Sequence, residues 1–332
     1  MGGELQQSDQ PVNLTEGGKG IRRKDPSASF LKTEGDGGSM HSAPVLSKPG
    51  RQKMSVTVTA LIENQTSGNL KAENGLSLWI DIDGTPVLFD TGASGAFMDN
   101  ADALGIPVRT VKEVILSHGH IDHCGGFFRF LKEAEGPYML YLHRDSFKER
   151  YWYRDDDGGY YYPTASGLTE DFLMRNRIPF RAVAPDRFFE LKPGVYLMGN
   201  VPRRSPYEPV DETDIAMTHG EFGPDPYTDE LTLVLKRPEG LILFSGCAHL
   251  GLINICSWAE ELFNMPVIRY IGGTHLLPAD DGRILETVGY INRSSLKTAA
   301  VCHCTGENAL KCFTEKCASY VPFHTGITLT FA

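Results

Sequence analysis

His118-Gly119-His120-Ile121-Asp122-His123 decides how this chain is read. Three imidazoles and a carboxylate fall within six residues, and the apolar run at 111–117 that leads into them reads as a β-strand. Imidazole and carboxylate are borderline-to-hard ligands, suited to Zn²⁺, Fe or Mn. On a turn leaving a strand, His118 and His120 face one point while Asp122 and His123 face a neighbouring one. That arrangement suits two metals about 3.5–4 Å apart, a spacing at which a bridging hydroxide forms near neutral pH. The plain alternative is a solvated polar loop, and four metal-competent side chains at this spacing argue against it.

Outward from the cluster the pattern alternates between strand and helix. Residues 56–62 are β-branched and alternating, 76–82 read as a second strand, and 86–90 as a third after the turn Asp83-Gly84. Residues 96–104 have helical periodicity that stops at Gly105. Beyond the cluster come a helix at 127–135 and a strand at 138–143. Residues 144–228 read as an irregular, aromatic-rich insertion. Strands at 231–236 and 241–245, a helix at 252–263 and a strand at 267–271 follow. The chain closes with a helix at 285–291, a strand at 299–303, a helix at 308–318 and a strand at 327–331. Strand-rich halves that each end in alternating helix and strand predict two packed sheets with helices outside, an α/β (α+β) fold.

The chain has 332 residues, with 32 Lys and Arg against 42 Asp and Glu. Its first 52 residues carry seven basic and six acidic side chains and a single aromatic residue, Phe30. They are too poor in apolar side chains to offset the entropy of ordering, so residues 1–52 are expected to be a disordered tail ahead of one domain at 53–332. The acidic surplus belongs to that domain and excludes nucleic acid as the main partner, because phosphate backbones need clustered Lys and Arg. No apolar stretch has the length of a membrane span, and the first ten residues are polar and acidic where a secretory leader is basic and then apolar. Seven scattered cysteines fit a reducing compartment. The expectation is a soluble, cytoplasmic protein acting on a small molecule, with no membrane partner.

Asp90-Thr91-Gly92 after one strand and the His-x-His-x-Asp-His run after another resemble the metallo-β-lactamase superfamily. Further strings are similar to its 7,8-dihydropterin-6-yl-methyl-4-(β-D-ribofuranosyl)aminobenzene 5′-phosphate synthase-like branch. They are Glu63-Asn64, Asn74-Gly75-Leu76-Ser77, Asp229-Glu230-Leu231, Ser245-Gly246-Cys247-Ala248-His249, Gly272-Gly273-Thr274-His275-Leu276 and His303-Cys304-Thr305-Gly306. The resemblance implies a four-layer αββα sandwich. It implies that His118 and His120 bind a first metal, that Asp122 and His123 bind a second, and that His303 completes the second site. It also makes Asp90 a carboxylate beneath the site that orients ligands or a water. The expected cofactor is one or two Zn²⁺, with Fe or Mn as alternatives.

Two positions depart from the superfamily pattern. Where a metal-bridging Asp usually follows a Gly, this chain has Cys247, with His249 two residues on. Either can coordinate; His249 is preferred, with Cys247 as its neighbour. The histidine expected between His123 and that strand has no clear counterpart, since His143 comes too soon and His219 lies in a loop. His275 is a candidate for contact with substrate or transition state. Thr305 and Gly306 are candidates to offer a hydroxyl and backbone N–H groups to an anionic group. Cys302, Cys304, Cys312 and Cys317 read as core packing, the first two pointing away from His303 along a strand. The aromatic stretch from Tyr151 to Tyr162 reads equally as a lid stacking on a planar substrate or as a surface hairpin, which leaves a homodimer contact open.

These residues lead to an expected metal-dependent hydrolase or transferase working through metal-activated hydroxide, with Asp122 or Asp90 positioning the water and His275 contacting the substrate. The resemblance implies a substrate that is small and aromatic or phosphorylated. The alternatives are a metal-containing binding or signalling protein with residual esterase activity, and an iron-dependent sulfur dioxygenase.

Overall fold

The computed structural model of the chain describes residues 55–155, 159–218 and 220–331. The expected tail at 1–52 and the candidate His219 lie outside the described residues. The described chain opens with strands β1 (Val56–Ile62), β2 (Ser77–Ile82) and β3 (Thr85–Phe89), then helix α1 (Ala96–Leu104) and β4 (Glu113–Ile115). Short helices α2 (Ile121–Cys124) and α3 (Phe127–Glu133) lead to β5 (Met139–His143). Strands β6 (Arg150–Arg154) and β7 (Tyr160–Pro163), helix α4 (Glu170–Arg175) and strands β8 (Phe180–Val183), β9 (Phe188–Lys192), β10 (Val195–Met198), β11 (Asp214–Thr218) and β12 (Glu221–Pro224) follow. The remainder is β13 (Thr232–Arg237), β14 (Gly240–Ser245), α5 (Leu252–Phe263), β15 (Val267–Gly272), α6 (Asp281–Arg293), β16 (Thr298–Val301), α7 (Glu307–Lys316) and β17 (Thr328–Phe331).

Seven strands form one sheet in the order β17-β1-β2-β3-β4-β5-β8, and six form a second in the order β16-β15-β14-β13-β10-β9. Strand alternation sorts their side chains into three apolar layers. Val58, Ile80, Val87 and Phe89 from the first sheet meet Leu233, Leu235, Ile242 and Phe244 from the second. Leu61, Trp79, Leu88 and Val114, on the opposite face of the first sheet, pack with Phe97 and Met98 of α1 and Phe127 and Phe130 of α3. Val234, Leu241 and Leu243, on the outer face of the second, pack with Ile255 and Ala259 of α5, Ile284 and Val288 of α6 and Phe313 of α7. The result is the four-layer αββα sandwich.

Residues 144–228 are more regular than expected. Strand β8 pairs in parallel with β5, and β9 and β10 join the second sheet through β13. What stands apart is a four-stranded antiparallel sheet in the order β12-β11-β6-β7, which carries the Tyr and Trp side chains. The strand expected at 299–303 stops at Val301, and His303–Thr305 form a short 3₁₀ turn with His303 at φ 54°. Helix α6 begins four residues earlier than the expected 285, because the Asp280 side chain accepts a hydrogen bond from Arg283 N at 2.8 Å and caps it. No helix of the described residues is long and apolar enough to cross a membrane.

The parallel strands β3, β4, β14, β15 and β16 end at one edge of the sandwich. Residues just past their C-terminal ends include Asp90, His118, Cys247, His249, His275 and His303. Parallel sheets commonly place their chemistry at this edge.

Candidate metal centre

Each histidine of the sequence cluster is held by its backbone. Gly119 N donates to Asp229 Oδ2 at 2.8 Å, and Gly119 O accepts from Ser166 N. A Cβ at Gly119 would sit 2.3 Å from Ser146 O, so only glycine lets the turn pass between His118 and His120. Asp122 and His123 lie on α2, whose His123 carbonyl accepts both the backbone N–H and the hydroxyl of Thr91. Asp229 is itself ion-paired with Arg150, which also pairs with Asp225, both contacts being 2.7 Å in a fully buried triad.

Asp90 lies beneath the centre and touches nothing in the cleft. Its Oδ1 accepts from Ser117 N at 2.7 Å. Its Oδ2 accepts from Ser117 Oγ at 2.7 Å and lies 2.7 Å from His123 Nδ1. The Ser117 hydroxyl, spent on Asp90, meets His118 Nδ1 at 2.9 Å as an acceptor. Both Nδ1 atoms therefore carry protons, and the Nε2 lone pairs of His118 and His123 point inward. On the opposite side His303 Nδ1 donates to Asn64 Oδ1 at 2.8 Å, while Glu63 accepts from His303 N at 3.2 Å.

The inward atoms converge. His123 Nε2 is 3.1 Å from Cys247 Sγ and 3.1 Å from His303 Nε2. Asp122 Oδ2 stands 3.5 Å from His303 Nε2 and 3.9 Å from His123 Nε2. Of the donor groups that include Cys247, one adds His118 and His249 and another His123 and His303. The His120 ring lies 4.8 Å from that of His118 and 5.0 Å from that of His249. His118, His123, His249, His303 and Cys247 are all buried. Among the described residues, His118 Nε2 and both nitrogens of His249 have no hydrogen-bond partner. Buried polar atoms without partners are costly, and a bound cation satisfies them.

The electrostatics agree. Burial pushes His118 and His249 well below the usual imidazole range and lowers His120 to about 4, so all three are neutral ligands at pH 7. Burial opposes protonation of His123 too, but the Asp122 and Asp90 carboxylates override it and carry it up to about 9. Two carboxylates around one imidazole call for positive charge at that point. The donor set therefore fits a divalent metal, with imidazole, carboxylate and thiolate all available.

His249 is aimed by two neighbours that stand outside the sequence cluster. Tyr227 stacks on it at 4.0 Å with a 9° interplanar angle, and Glu230 accepts from His249 N and Leu250 N at 2.7 and 2.9 Å. The quoted strings Glu63-Asn64 and Asp229-Glu230 are thus residues that orient His303, the 118–120 turn and His249. Tyr227 had no sequence signal.

Four expectations are corrected. Thr305 is fully buried; its hydroxyl donates to Cys302 O at 2.7 Å and accepts from Thr274, so it is not offered to an anion. Gly306 opens α7 beside a neighbouring cleft of about 440 Å³ with the carboxylates of Glu63 and Glu307 on its wall, a poor place for an anion. Cys304 does not pack away from the centre, because the turn at His303 rotates its sulfur towards Cys247 and His275. Cys247 belongs to both donor groups and is not merely a neighbour of His249. His143 takes no part in any donor group among the described residues; its Nδ1 accepts from Asp145 N at 3.1 Å.

The centre forms the floor of a cleft of about 700 Å³. Its walls include His275, Asp211 and Asp214 and, from the aromatic sheet, Trp152, Tyr153 and Arg154. The sheet is tied to the floor, since Ile121 N donates to Thr164 O at 2.8 Å and His120 bridges to Ala165. Tyr161 and Phe222 of the same sheet are exposed.

The sequence profile of the metallo-beta-lactamase superfamily matches residues 70–264, and the chain belongs to that metal-binding, largely enzymatic superfamily. It is 27% identical over 256 residues to the 7,8-dihydropterin-6-methyl-4-(beta-D-ribofuranosyl)-aminobenzene-5′-phosphate synthase of Methanocaldococcus jannaschii, a match spanning 74% of this chain and 85% of that one. The crystal structure of Tm1679, a metal-dependent hydrolase of the beta-lactamase superfamily, superposes with a TM-score of 0.70 at 28% identity, covering 82% of this chain and 98% of the other. The metallo-beta-lactamase fold protein YhfI of Bacillus subtilis shares the fold at 13% identity, with a TM-score of 0.51 over 84% of this chain and all of that one.

Proposed function

We propose that the chain is a metal-dependent hydrolase that acts on a small, planar or phosphorylated molecule held between the His–Cys floor and the aromatic sheet. The observation that carries this reading is the convergence of partnerless buried imidazole nitrogens and Cys247 at the foot of an open cleft. His118, Cys247 and His249 would hold one ion and His123, Cys247 and His303 a second, with His120 beside the first and Asp122 beside the second. Zinc suits this mixture of ligands, and such an ion supplies an activated water and polarises a carbonyl or phosphoryl oxygen.

The chain's own residues do the rest. Asp122, partly open to the cleft, accepts a hydrogen bond from the attacking water and fixes its direction. Asp90 and Ser117 keep the imidazole tautomers that leave Nε2 free. His275 stands on the cleft wall, with Asp211 Oδ2 3.7 Å from its Nε2, within reach of a bound molecule. Trp152, with the Arg154 guanidinium 5.1 Å from its ring centroid, offers an aromatic surface on the cleft wall to a planar molecule. Asp214 stands close to His249 and His275 and favours a substrate with N–H groups on its edge.

Group transfer is a second reading, favoured by the 27% identity to a synthase across most of that relative's length. The test is a screen over phosphoesters, lactones and thioesters, run beside Asp122→Ala and with metal analysis of protein purified without chelator. A hydrolase requires one class to respond and the variant to lose that response. No response from any class, with turnover only when two co-substrates are supplied, favours transfer; stoichiometric iron in place of zinc favours redox chemistry.

A further inference from the structure

The donor groups at the floor extend beyond the four histidines and Cys247. Cys304, His275 and Cys247 bring two thiols and an imidazole within 4.8 Å of one another. Among the described residues neither ring nitrogen of His275 makes a hydrogen bond, although the ring is largely buried and Asp211 Oδ2 stands 3.7 Å from Nε2. Cys304 accepts a hydrogen bond from His275 N at 3.3 Å, and its S–H donates to Cys247 O at 3.3 Å. Once the S–H proton leaves, the backbone N–H aimed at sulfur stabilises the thiolate that a metal would bind.

The backbone is shaped to bring these groups together. His275 at φ 47°, Ala248 at φ 60° and His303 at φ 54° all lie in the left-handed region, a cost that persists only where the surroundings impose it. Gly273 shows the same crowding: a Cβ there would meet both Cys304 Sγ and Gly246 O at 2.6 Å. The three donors also line the open cleft, so an ion can reach them from solvent.

We propose that Cys304 and His275, together with Cys247, form a sulfur-rich metal position of their own, which takes a thiophilic divalent ion such as Zn²⁺ or Cd²⁺ beside the histidine centre. It rests on the reading that Cys247 is a metal ligand and adds two donors to that reading. On binding, two metal–sulfur bonds and one metal–nitrogen bond form, and the two thiol protons pass to solvent. Two thiolates and a neutral imidazole leave a divalent ion with no net charge, the state that burial favours. A fourth tetrahedral position remains, facing the cleft.

The test uses the full chain, stripped with chelator, kept reduced, and titrated with Co²⁺ alone. Bound cobalt is read by equilibrium dialysis and cobalt–thiolate bonds by their charge-transfer absorption. Cys304→Ser should lose about half of that absorption and about one bound ion per chain, since one of two thiolates is removed. His118→Ala should lose bound metal while keeping the Cys304-dependent absorption. Full absorption and full capacity in Cys304→Ser overturn the proposal and leave the histidine centre standing; a wild-type chain that binds no cobalt overturns both. X-ray absorption on the unmutated chain at one Cd²⁺ per chain needs no variant to fold: two sulfur neighbours support the position, and one or none overturns it.

Discussion

Asp90→Asn changes one atom and should turn two imidazoles around. Asp90 accepts three hydrogen bonds in a site without solvent, from Ser117 N, Ser117 Oγ and His123 Nδ1, each 2.7 Å long. Asparagine keeps an oxygen for Ser117 N and puts an NH₂ where Oδ2 stood. That NH₂ donates, so His123 must accept at Nδ1 and carry its proton on Nε2. The Ser117 hydroxyl must likewise turn to donate to His118 Nδ1, 2.9 Å away, which moves that proton to Nε2 as well. Both lone pairs that face Cys247 and His249 are then blocked. Loss of such an orienting partner typically costs 10- to 100-fold in metal affinity, so about that loss is expected at each of the two donor groups. Folding should change little, about 1–2 kcal/mol, because the number of hydrogen bonds is conserved and only their charge is lost. Asp90→Ala, by contrast, strands three buried donors at about 1–3 kcal/mol each and should unfold far more readily. The assay is competition against a chromophoric chelator, paired with urea unfolding. Wild-type metal affinity in a folded Asp90→Asn protein would refute the tautomer argument.

Two further outcomes are expected. Burial carries Glu230 up to about 7 from an ordinary 4.5, against two backbone N–H bonds that pull the other way. The folded chain thus keeps a proton that the unfolded chain has released between those values, so stability from this group is full below about pH 4.5 and is lost as pH rises through about 7, a change on the order of 3 kcal/mol. Glu230→Gln should flatten that part of the stability–pH curve, and urea unfolding at pH 5 and pH 8 checks it; parallel curves for the two proteins would count against the assignment. Arg150→Met should cost about 3–5 kcal/mol in chemical denaturation, because it leaves the Asp225 and Asp229 carboxylates buried without a counter-charge. It should also weaken metal binding, since Asp229 holds Gly119 between His118 and His120; a variant as stable as wild type would contradict the structural weight given to the triad.

The part of the centre that is legible in the sequence is the part built from local chain. His118, His120, Asp122 and His123 follow one strand end within six residues, so their chemistry is visible without knowing what that strand pairs with. His249 and His303 follow β14 and β16, and only the pairing of β14 with β15 and β15 with β16 brings those ends together. Where alternation was extended two residues too far, the reading failed: β16 stops at Val301, and the positive φ of His303 turns the Cys304 sulfur inward. Thr305 failed for a non-local reason, since Thr274, from the neighbouring strand end, occupies its hydroxyl. Residues 144–228 looked irregular because β8, β9 and β10 are only four or five residues long, and two of them find partners in β5 and β13 that their own sequences do not reveal. The aromatic sheet was visible as composition but not as a structure, because its order places β6 beside β11, some 60 residues later in the chain.

A centre assembled from the strand ends of both sheets is tested most directly by the metal content of the full chain purified without chelator, measured beside His118→Ala, His303→Ala and the double variant. The wild-type chain should carry about two divalent ions or more, each single variant about one fewer, and the double variant fewer still. A folded wild-type chain with no stoichiometric metal, or a double variant that retains the wild-type content, would contradict it.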